Sequence, residues 1–535
     1  MKINKYLFFA SLCTTGLFTS CIDLDPLPTG GTFTNGQFDQ MLETDPEKMG
    51  NLVIGLYDSY SSFMGTSIAL DSRTADFVTI NPSQQYSTYR NNACYLDITA
   101  TNSIGVWGTA YSMIFDSNLL IASLNNIDPD KTDKTLSYYR GQALANRAFA
   151  YMYLAQLYQF TYAKDPMAKG VPVITEKNQE LTAIEGSSRG TLQEVYEQIL
   201  SDLTEGIELM SNNSAAQRAD KRYFDINVLY GFRARANLLM HNYTEAAADA
   251  QKVIDSGDFS PLSATQCQVP GFQEISEANW IWGIYVNKTG VGLNNFANSV
   301  NTWCHGYVQA GNWKLIDPAL YEQIDNNDPR KLWWIAPVTR ESVANYWTDY
   351  TSTDNQYTPQ SYLEEFEVPD YTVVKFAPYE NEIDQSMKNT DYPLMRIEEM
   401  WLILAEAKGL EGASVAPGVA VLENFINTYR RTTGKYTCTA TTADEFIDEI
   451  YLQRRIEFWG EGIEYLDILR LQKPMDRRTE IWSGQMGATY GIQSYAFYNQ
   501  PTNPVMIWML PTDEIDNNPG MTDADQNEPG QPTLP

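Results

Sequence analysis

The chain has 535 residues and carries 37 Lys and Arg residues against 67 Asp and Glu residues, a formal net charge of -30. A surface with this much negative charge repels polyphosphates, which excludes nucleic acid as a partner. Hydrophobic residues make up 43% of the chain and aromatic residues 13%, which excludes an intrinsically disordered protein because this much apolar surface can offset the entropy of ordering.

The first twenty residues have the pattern of a secretory signal. Lys2 and Lys5 form a basic head, and residues 6–18 form a mostly apolar run that ends in small polar residues. A bilayer span takes roughly 20 apolar residues, and neither this run nor any later stretch reaches that length. The sequence therefore predicts an exported protein.

A cysteine, Cys21, follows this signal directly. The run Phe18-Thr19-Ser20-Cys21 resembles the lipobox of bacterial lipoproteins, in which the cysteine is diacylated and becomes the new N-terminus. The match is loose, because Phe18 replaces the usual Leu and Ser20 the usual Gly or Ala. Ordinary cleavage with an incidental cysteine is the alternative. Two or more acyl chains hold a protein stably on a membrane, so we expect Cys21 to be a lipid anchor.

Apolar residues then recur at helical spacing in three segments. The first helix is predicted within 138–160, and the second within 189–210. Segment 226–257 contains two helices, with a break at 241–243 and a stop at Gly257. The small residues of this hairpin are typical of tetratricopeptide pairs, in which antiparallel helices approach closely.

The second half of the chain has a similar texture with a few strand-like pieces. Another hairpin is predicted at 396–410 and 418–431, and one long helix over 446–472. In 279–286, bulky apolar residues alternate as they do in a strand. The predicted fold class is mainly α, with degenerate tetratricopeptide-type hairpins as the scaffold and a loop-rich part that has a few short strands.

Four cysteines beyond the anchor are too widely spaced for a C-x-x-C site, and they are Cys94, Cys267, Cys304 and Cys438. Disulfides among them are compatible with an exported protein, but their pairing cannot be deduced from the sequence.

Several motifs together carry a family resemblance. They are the run "CIDLDP" at 21–26, the helix-to-G-x-P segment at 140–176, the helix at 194–210, the D-x-R turn at Asp328 and Arg330, and the paired signatures at 393–409 and 454–470. On these motifs the chain resembles the SusD/RagB family of outer-membrane lipoproteins from end to end. The chain departs from the family pattern at two places. Glu464 stands where the family has Arg, and Leu510-Pro511-Thr512 stands where the family has Pro-Ile-Pro. We expect the first to re-pair the local ion network.

The resemblance implies a division of the chain and a function. Residues 1–20 are then the lipoprotein signal peptide, 21–40 a lipid-anchored tether, 41–260 an N-terminal SusD-like helical region, and 261–535 a C-terminal SusD/RagB region with aromatic loops. Such a protein lies at the cell surface on the outer membrane. It binds oligosaccharides, or peptides in some members, and delivers them to a SusC-like TonB-dependent transporter. Asp23 and Asp25 resemble the acidic surface-export tag of these lipoproteins.

The sequence contains few candidate catalytic residues. Glycoside hydrolysis uses two carboxyl groups, and four occur at helical spacing: Glu457, Glu461, Glu464 and Asp467. Nearby arginines favour mutual ion pairing instead, and these are Arg454, Arg455 and Arg470. A Ser or Cys nucleophile needs a histidine base, and the chain has only His241 and His305. We expect no enzyme, no cofactor and no metal site, and a glycoside hydrolase is the less favoured alternative.

The first predicted ligand site is the stretch "NSVNTWCHGYVQAGNWK". Trp303, Tyr307 and Trp313 are interleaved with asparagines and glycines and follow neither a helical nor a strand period. A sugar ring packs its C–H face on an aromatic ring and its hydroxyls against amides. These three residues therefore predict a shallow glycan platform, and covering the edge of the core is the alternative.

The second predicted ligand site is the irregular polar segment after the first helix. Its candidate residues are Asp71, Arg73, Asp76, Tyr86, Tyr89 and Arg90. The resemblance places binding loops in this sector without a motif that fixes single residues. A local pair of Arg73 and Arg90 could override the long-range repulsion of anionic glycans by the acidic chain.

The lipid anchor gives a first testable prediction. Replacing Cys21 by Ala removes the acylated thiol, so we expect loss of palmitate labelling and release of the protein to the periplasm, or retention of the uncleaved precursor. Fractionation and labelling of the wild type and the variant check this. Unchanged labelling and unchanged fractionation with the outer membrane would contradict it.

Overall fold

The computed structural model describes residues 49–80, 105–125, 134–211, 218–288, 300–304, 308, 311–352, 355–384, 389–492 and 495–533. The predicted signal, Cys21 and the tether lie outside the described residues. The described part is mainly helical with short strands, as predicted. Its helices are α1 (Met49–Leu56), α2 (Ser61–Asp71), α3 (Val106–Ser123), α4 (Lys134–Tyr158), α5 (Gln179–Glu185), α6 (Leu192–Ser211), α7 (Ile226–Leu239), α8 (Tyr243–Asp255), α9 (Pro318–Tyr321), α10 (Arg340–Tyr346), α11 (Pro359–Glu365), α12 (Ile397–Leu410), α13 (Ala416–Tyr429), α14 (Ala443–Glu457), α15 (Glu464–Arg470), α16 (Glu480–Ser483), α17 (Gln485–Thr489) and α18 (Thr512–Asn517).

The scaffold is a row of helices, each packed against the next. Helix α4 lies between α3 and α6, and the row continues through α7 and α8 to α12, which packs on α13 and α14. The hairpin of α7 and α8 turns at 240–242, one residue before the predicted break at 241–243. Asp225 caps α7 by accepting a hydrogen bond from the Val228 N–H at 3.0 Å, and Gly257, with φ of 72°, follows the end of α8.

Close approach of α12 and α13 depends on two glycines. A Cβ on Gly418 would lie 2.5 Å from the backbone nitrogen of Gly409 and closer still to the carbonyl oxygen of Ala405. Any side chain at this position forces the two helices apart. The small residues of the second predicted hairpin therefore have the role that the tetratricopeptide pattern assigns to them.

The single long helix predicted over 446–472 is wrong. The structure has two helices there, α14 and α15, joined by a turn that contains Gly460 and Gly462 with φ of 81° and 73°. Both values lie in the left-handed region that glycine adopts without steric cost. The helical spacing of apolar residues continues across this turn because the residues on both sides of it face the core. The turn brings Glu461 inward, where it joins an ion network.

Strands pair two by two in the described part of the chain. They are β1 (Phe77–Thr79), β2 (Trp280–Ile284), β3 (Lys314–Ile316), β4 (Thr351–Ser352), β5 (Glu382–Ile383), β6 (Tyr392–Arg396), β7 (Met475–Asp476) and β8 (Tyr498–Asn499). The pairs are β1 with β3, β2 with β6 and β7 with β8, all antiparallel, and β4 with β5, which is parallel. All five residues of β2 are buried, so its predicted alternation does not separate a core face from a solvent face.

The described cysteines beyond the anchor are free thiols. Cys267, Cys304 and Cys438 are all buried, and Cys94 lies outside the described residues. Over the described ranges, none of the helices combines the length and the apolar character that crossing a membrane requires.

The contact at Gly418 gives a second prediction. Gly418→Ala should lower the free energy of unfolding by about 1–3 kcal/mol, the usual cost of overpacking, even though alanine is the better helix former. Chemical denaturation measures this change. The matched control is Gly412→Ala in the same hairpin, where the new Cβ meets nothing within 4 Å, and its effect should stay within about 0.5 kcal/mol. Equal effects of the two substitutions would contradict the packing argument.

Candidate ligand-binding site

Strand pairing brings the two predicted ligand segments together. Strand β1, which follows Asp71 and Arg73, pairs with β3, which follows Trp313, and the Ile80 N–H donates to the Trp313 carbonyl at 3.3 Å. The Asp384 N–H donates to the Trp303 carbonyl at 2.9 Å. Ile80, Trp303 and Trp313 belong to one buried apolar cluster together with Ile383, the neighbour of Asp384, and this region is called here the loop corner.

Trp303 and Trp313 form the buried floor of the loop corner. Trp303 is 0% exposed and Trp313 3%. The ring centroid of Trp303 lies 4.5 Å from that of Trp347 and 5.8 Å from that of Tyr362. A ring enclosed in this way offers no face to a sugar, so the burial favours the alternative of a core-covering role. Tyr307 lies outside the described residues.

The polar side chains around the floor bind backbone groups and do not form an open surface. Asn301 donates to the Ala377 carbonyl at 2.8 Å and accepts from the Trp303 N–H at 3.1 Å. Lys314 donates to the carbonyl and side-chain oxygens of Asn312 at 2.8 and 3.0 Å, and burial lowers the pKa of Lys314 to about 7. These amides satisfy the buried backbone of an irregular segment, which explains why a loop sequence can be core.

The described residues of the second predicted ligand segment are also buried. Asp71 accepts a hydrogen bond from the Gly462 N–H at 2.9 Å, and burial is the main reason that its pKa lies well above the usual range. Arg73 donates to the Val505 carbonyl at 2.9 Å, and its guanidinium carbon lies 4.5 Å from the Tyr465 ring centroid. Both side chains tie the N-terminal helices to the C-terminal part of the chain. Tyr86, Tyr89 and Arg90 lie outside the described residues.

Glu464, the position at which the family has Arg, lies beside the ion pair of Asp76 and Arg455. Asp76 binds the Arg455 guanidinium, with the Nε to Oδ2 distance at 2.6 Å. Burial, and then the Asp76 carboxylate, raise the pKa of Glu464 well above its usual range.

Half-buried side chains remain around the floor, and sequence reasoning missed them. Tyr350, Tyr357 and Asp384 form this rim, and Tyr357 packs edge to face against Tyr362 with ring centroids 5.7 Å apart. Partial burial, and then the Asp384 carboxylate, raise the pKa of Tyr357, so its hydroxyl stays a donor at neutral pH. The run Asn355-Gln356-Tyr357 has the same mixture of amides and aromatics as the first predicted site, and this signal could have found it.

Three of the four carboxylates considered for hydrolysis, Glu457, Glu461 and Asp467, are engaged in ion pairs. Glu457 contacts Arg330, Arg396 and Arg430, with the Arg430 Nε to Oε2 distance at 2.9 Å. Burial opposes its ionisation, but these guanidinium groups hold the pKa of Glu457 well below its usual range. Asp467 binds Arg454 at 2.7 Å. The arginines named from sequence spacing are thus only part of this network.

The described part of the chain is thus a scaffold of packed helix hairpins that also has a separate aromatic cluster at the loop corner. Two family models match this chain. Residues 37–235 match a family described as "Starch-binding associating with outer membrane", and residues 276–530 match the SusD family. The chain belongs to the SusD/RagB family, which confirms the resemblance drawn from its motifs.

Individual relatives agree with this assignment. The SusD-like protein P38 of Formosa agariphila is 25% identical over 410 residues, which is 69% of this chain and 72% of that protein. The structure is similar to a SusD-like carbohydrate-binding protein of Bacteroides vulgatus, with a TM-score of 0.68, 22% identity and coverage of 90% and 98% of the two chains. It is also similar to surface glycan-binding protein A of Bacteroides thetaiotaomicron in complex with laminarihexaose, with a TM-score of 0.60, 17% identity and coverage of 90% and 99%.

The floor of the loop corner gives a third prediction. Trp303→Ala should lower the free energy of unfolding by about 3–5 kcal/mol, because it leaves a cavity against Trp347 and Tyr362. Tyr357→Ala, at the rim of the same corner, should cost clearly less. Denaturant titration of the two variants checks this. An unfolding free energy of Trp303→Ala within about 0.5 kcal/mol of the wild type would contradict burial of the ring.

Proposed function

We propose that this protein is a cell-surface lipoprotein that captures oligosaccharides and delivers them to a SusC-like TonB-dependent transporter in the outer membrane. Family membership supports the glycan-binding role, and the description of the first matched family supports association with the outer membrane. Acylation at Cys21 attaches the chain to that membrane in this proposal. Neither nucleic acid nor a cofactor has a part in it.

The observation that carries the proposal is the loop corner. Buried rings at Trp303 and Trp313 give it a rigid floor, and Tyr350, Tyr357 and Asp384 surround that floor with aromatic faces, hydroxyls and a carboxylate. A preorganised rim of this kind suits a sugar, which needs a flat apolar surface and several hydrogen-bonding groups. Tyr307, Tyr86, Tyr89 and Arg90, which lie outside the described residues, stay proposed ligand residues.

Two alternatives stay open under this proposal. A peptide ligand, as in some family members, would use the same rim. Glycoside hydrolysis has less support, because Glu457, Glu461 and Asp467 are buried and ion-paired and are therefore poor acids or nucleophiles. We propose that the protein is not an enzyme.

The proposal is tested with defined ligands. Purified mature protein is screened against arrays of neutral oligosaccharides, which include laminarihexaose and maltoheptaose, and against a peptide library. We expect binding of an oligosaccharide without release of reducing ends. For that ligand, Tyr357→Ala should weaken binding by about 1–3 kcal/mol in calorimetry, the range typical of an aromatic anchor.

The matched control is Tyr346→Ala, which removes a tyrosine that is 48% exposed, lies on α10 and lines a different cavity, with Asn326 and Val338. It should leave the affinity unchanged. Binding of peptides but of no oligosaccharide would favour the peptide alternative. Release of reducing ends, abolished by Glu461→Gln in a folded protein, would favour a hydrolase.

A further inference from the structure

An aromatic cavity lies outside the loop corner, where α1 meets the segment before α7 and the end of β2. Its volume is about 330 Å³, within the range of small-molecule sites. We call it the tyrosine groove and define it by Tyr57, Tyr223, Tyr285 and Arg222, with Ile54 at its edge. None of these residues was singled out from the sequence, because they come from three distant segments.

The walls of the tyrosine groove are aromatic and open to solvent. Tyr285 is 45% exposed and Ile54 49%, although most large apolar side chains of the described chain are buried. Tyr57 and Tyr223 pack edge to face with centroids 5.0 Å apart. Exposed rings that stand together at a cavity present the flat apolar surface that a sugar ring covers.

The groove is rigid at its base. The Tyr57 hydroxyl bonds to Gln142 and accepts from the Phe224 N–H at 3.0 Å, which fixes the ring from behind. The Trp282 indole N–H donates to the Arg222 carbonyl at 3.0 Å. Binding here would therefore order few groups, which lowers the entropic cost of association.

Arg222 supplies directional donors without a net charge. Its guanidinium carbon lies 4.5 Å from the Tyr285 ring centroid and 5.3 Å from that of Tyr223. The carboxylate of Asp220 binds Nε at 2.9 Å and Nη2 at 2.6 Å. Among the described residues, Nη1 of Arg222 and the hydroxyls of Tyr223 and Tyr285 have no hydrogen-bond partner. These three groups can therefore bind the hydroxyls of a ligand at the groove.

We infer that the tyrosine groove is a second carbohydrate site, which takes one ring of a neutral sugar separately from the loop corner. The inference rests on the proposed function, because a second sugar site is of use to a chain that binds oligosaccharides. Neutral sugars fit better than acidic ones, since Asp220 already neutralises Arg222. A second weak site would raise the affinity for long glycans by holding two points of one chain.

Single sugars test this site directly. The probes are methyl β-glucoside, methyl β-galactoside, methyl α-mannoside and, as the charged comparison, sodium glucuronate, observed by saturation-transfer NMR on the mature protein. We expect transfer to the ring C–H protons of at least one neutral probe and less to glucuronate. Tyr285→Ala and Tyr223→Ala should each weaken that probe's binding about fivefold or more, as loss of an aromatic anchor does.

Tyr346→Ala is the matched control, because Tyr346 is 48% exposed and Tyr285 45%. Melting temperatures of all variants confirm that they are folded. The inference fails if no neutral probe receives transfer, or if the transfer that Tyr357→Ala retains is unchanged when either groove substitution is added to it. If all transfer disappears in Tyr357→Ala but not in the groove variants, the groove is not a sugar site and only the loop corner is supported. Loss in the groove variants with no oligosaccharide binding at the corner would support the groove and overturn the corner.

Discussion

The architecture depends on one buried cluster of charges around Glu457. Arg330, Arg396 and Arg430 all contact this carboxylate, at 3.1, 3.0 and 2.9 Å, and all four side chains are at most 1% exposed. The cluster is extended by Asp328, Lys375, Glu398 and Glu461, so four cations face four carboxylates. Buried charges are costly unless they are paired and hydrogen-bonded, and removing one partner leaves another charge uncompensated. Because its members come from segments distant in sequence, the cluster is satisfied only when those segments meet in one arrangement.

The cluster reaches the loop corner through Lys375. Its ammonium group binds Glu461 and the carbonyls of Glu457 and Trp459, the latter two at 2.8 and 3.0 Å. The backbone on either side of Lys375 then holds the floor, because the Val373 carbonyl accepts from Thr302 and the Ala377 carbonyl accepts from Asn301. The turn at Gly460 and Gly462 is what places Glu461 within reach. The position of Trp303 is thus fixed by electrostatics that lie outside the ligand site.

The sequence predicted most of the helices correctly but left the burial of Trp303 and Trp313 only as an alternative, and the physical reasons differ. Helix α6 is amphipathic over its whole length, so local periodicity is enough to predict it. The burial of Trp303 depends on Thr302 and Asn301 bonding to residues more than 70 positions away, which no local pattern records. Arg73 reads as a surface residue because its acceptor, Val505, is 432 positions distant. The D-x-R turn was recognised as a motif, but its purpose, delivering Arg330 to Glu457, appears only in three dimensions.

Burial of Arg73 bears on the kind of ligand. A pair of Arg73 and Arg90 was the one local feature expected to offset the negative charge of the chain, and Arg73 is 4% exposed and bonded inward. Removing Lys2 and Lys5 with the signal leaves 35 cationic against 67 acidic residues, a net charge of -32. At the tyrosine groove, the exposed guanidinium of Arg222 is neutralised by Asp220. The negative field of this chain repels polyanionic glycans at long range and does not act on neutral ones. The net charge therefore favours neutral glycans as the ligand class.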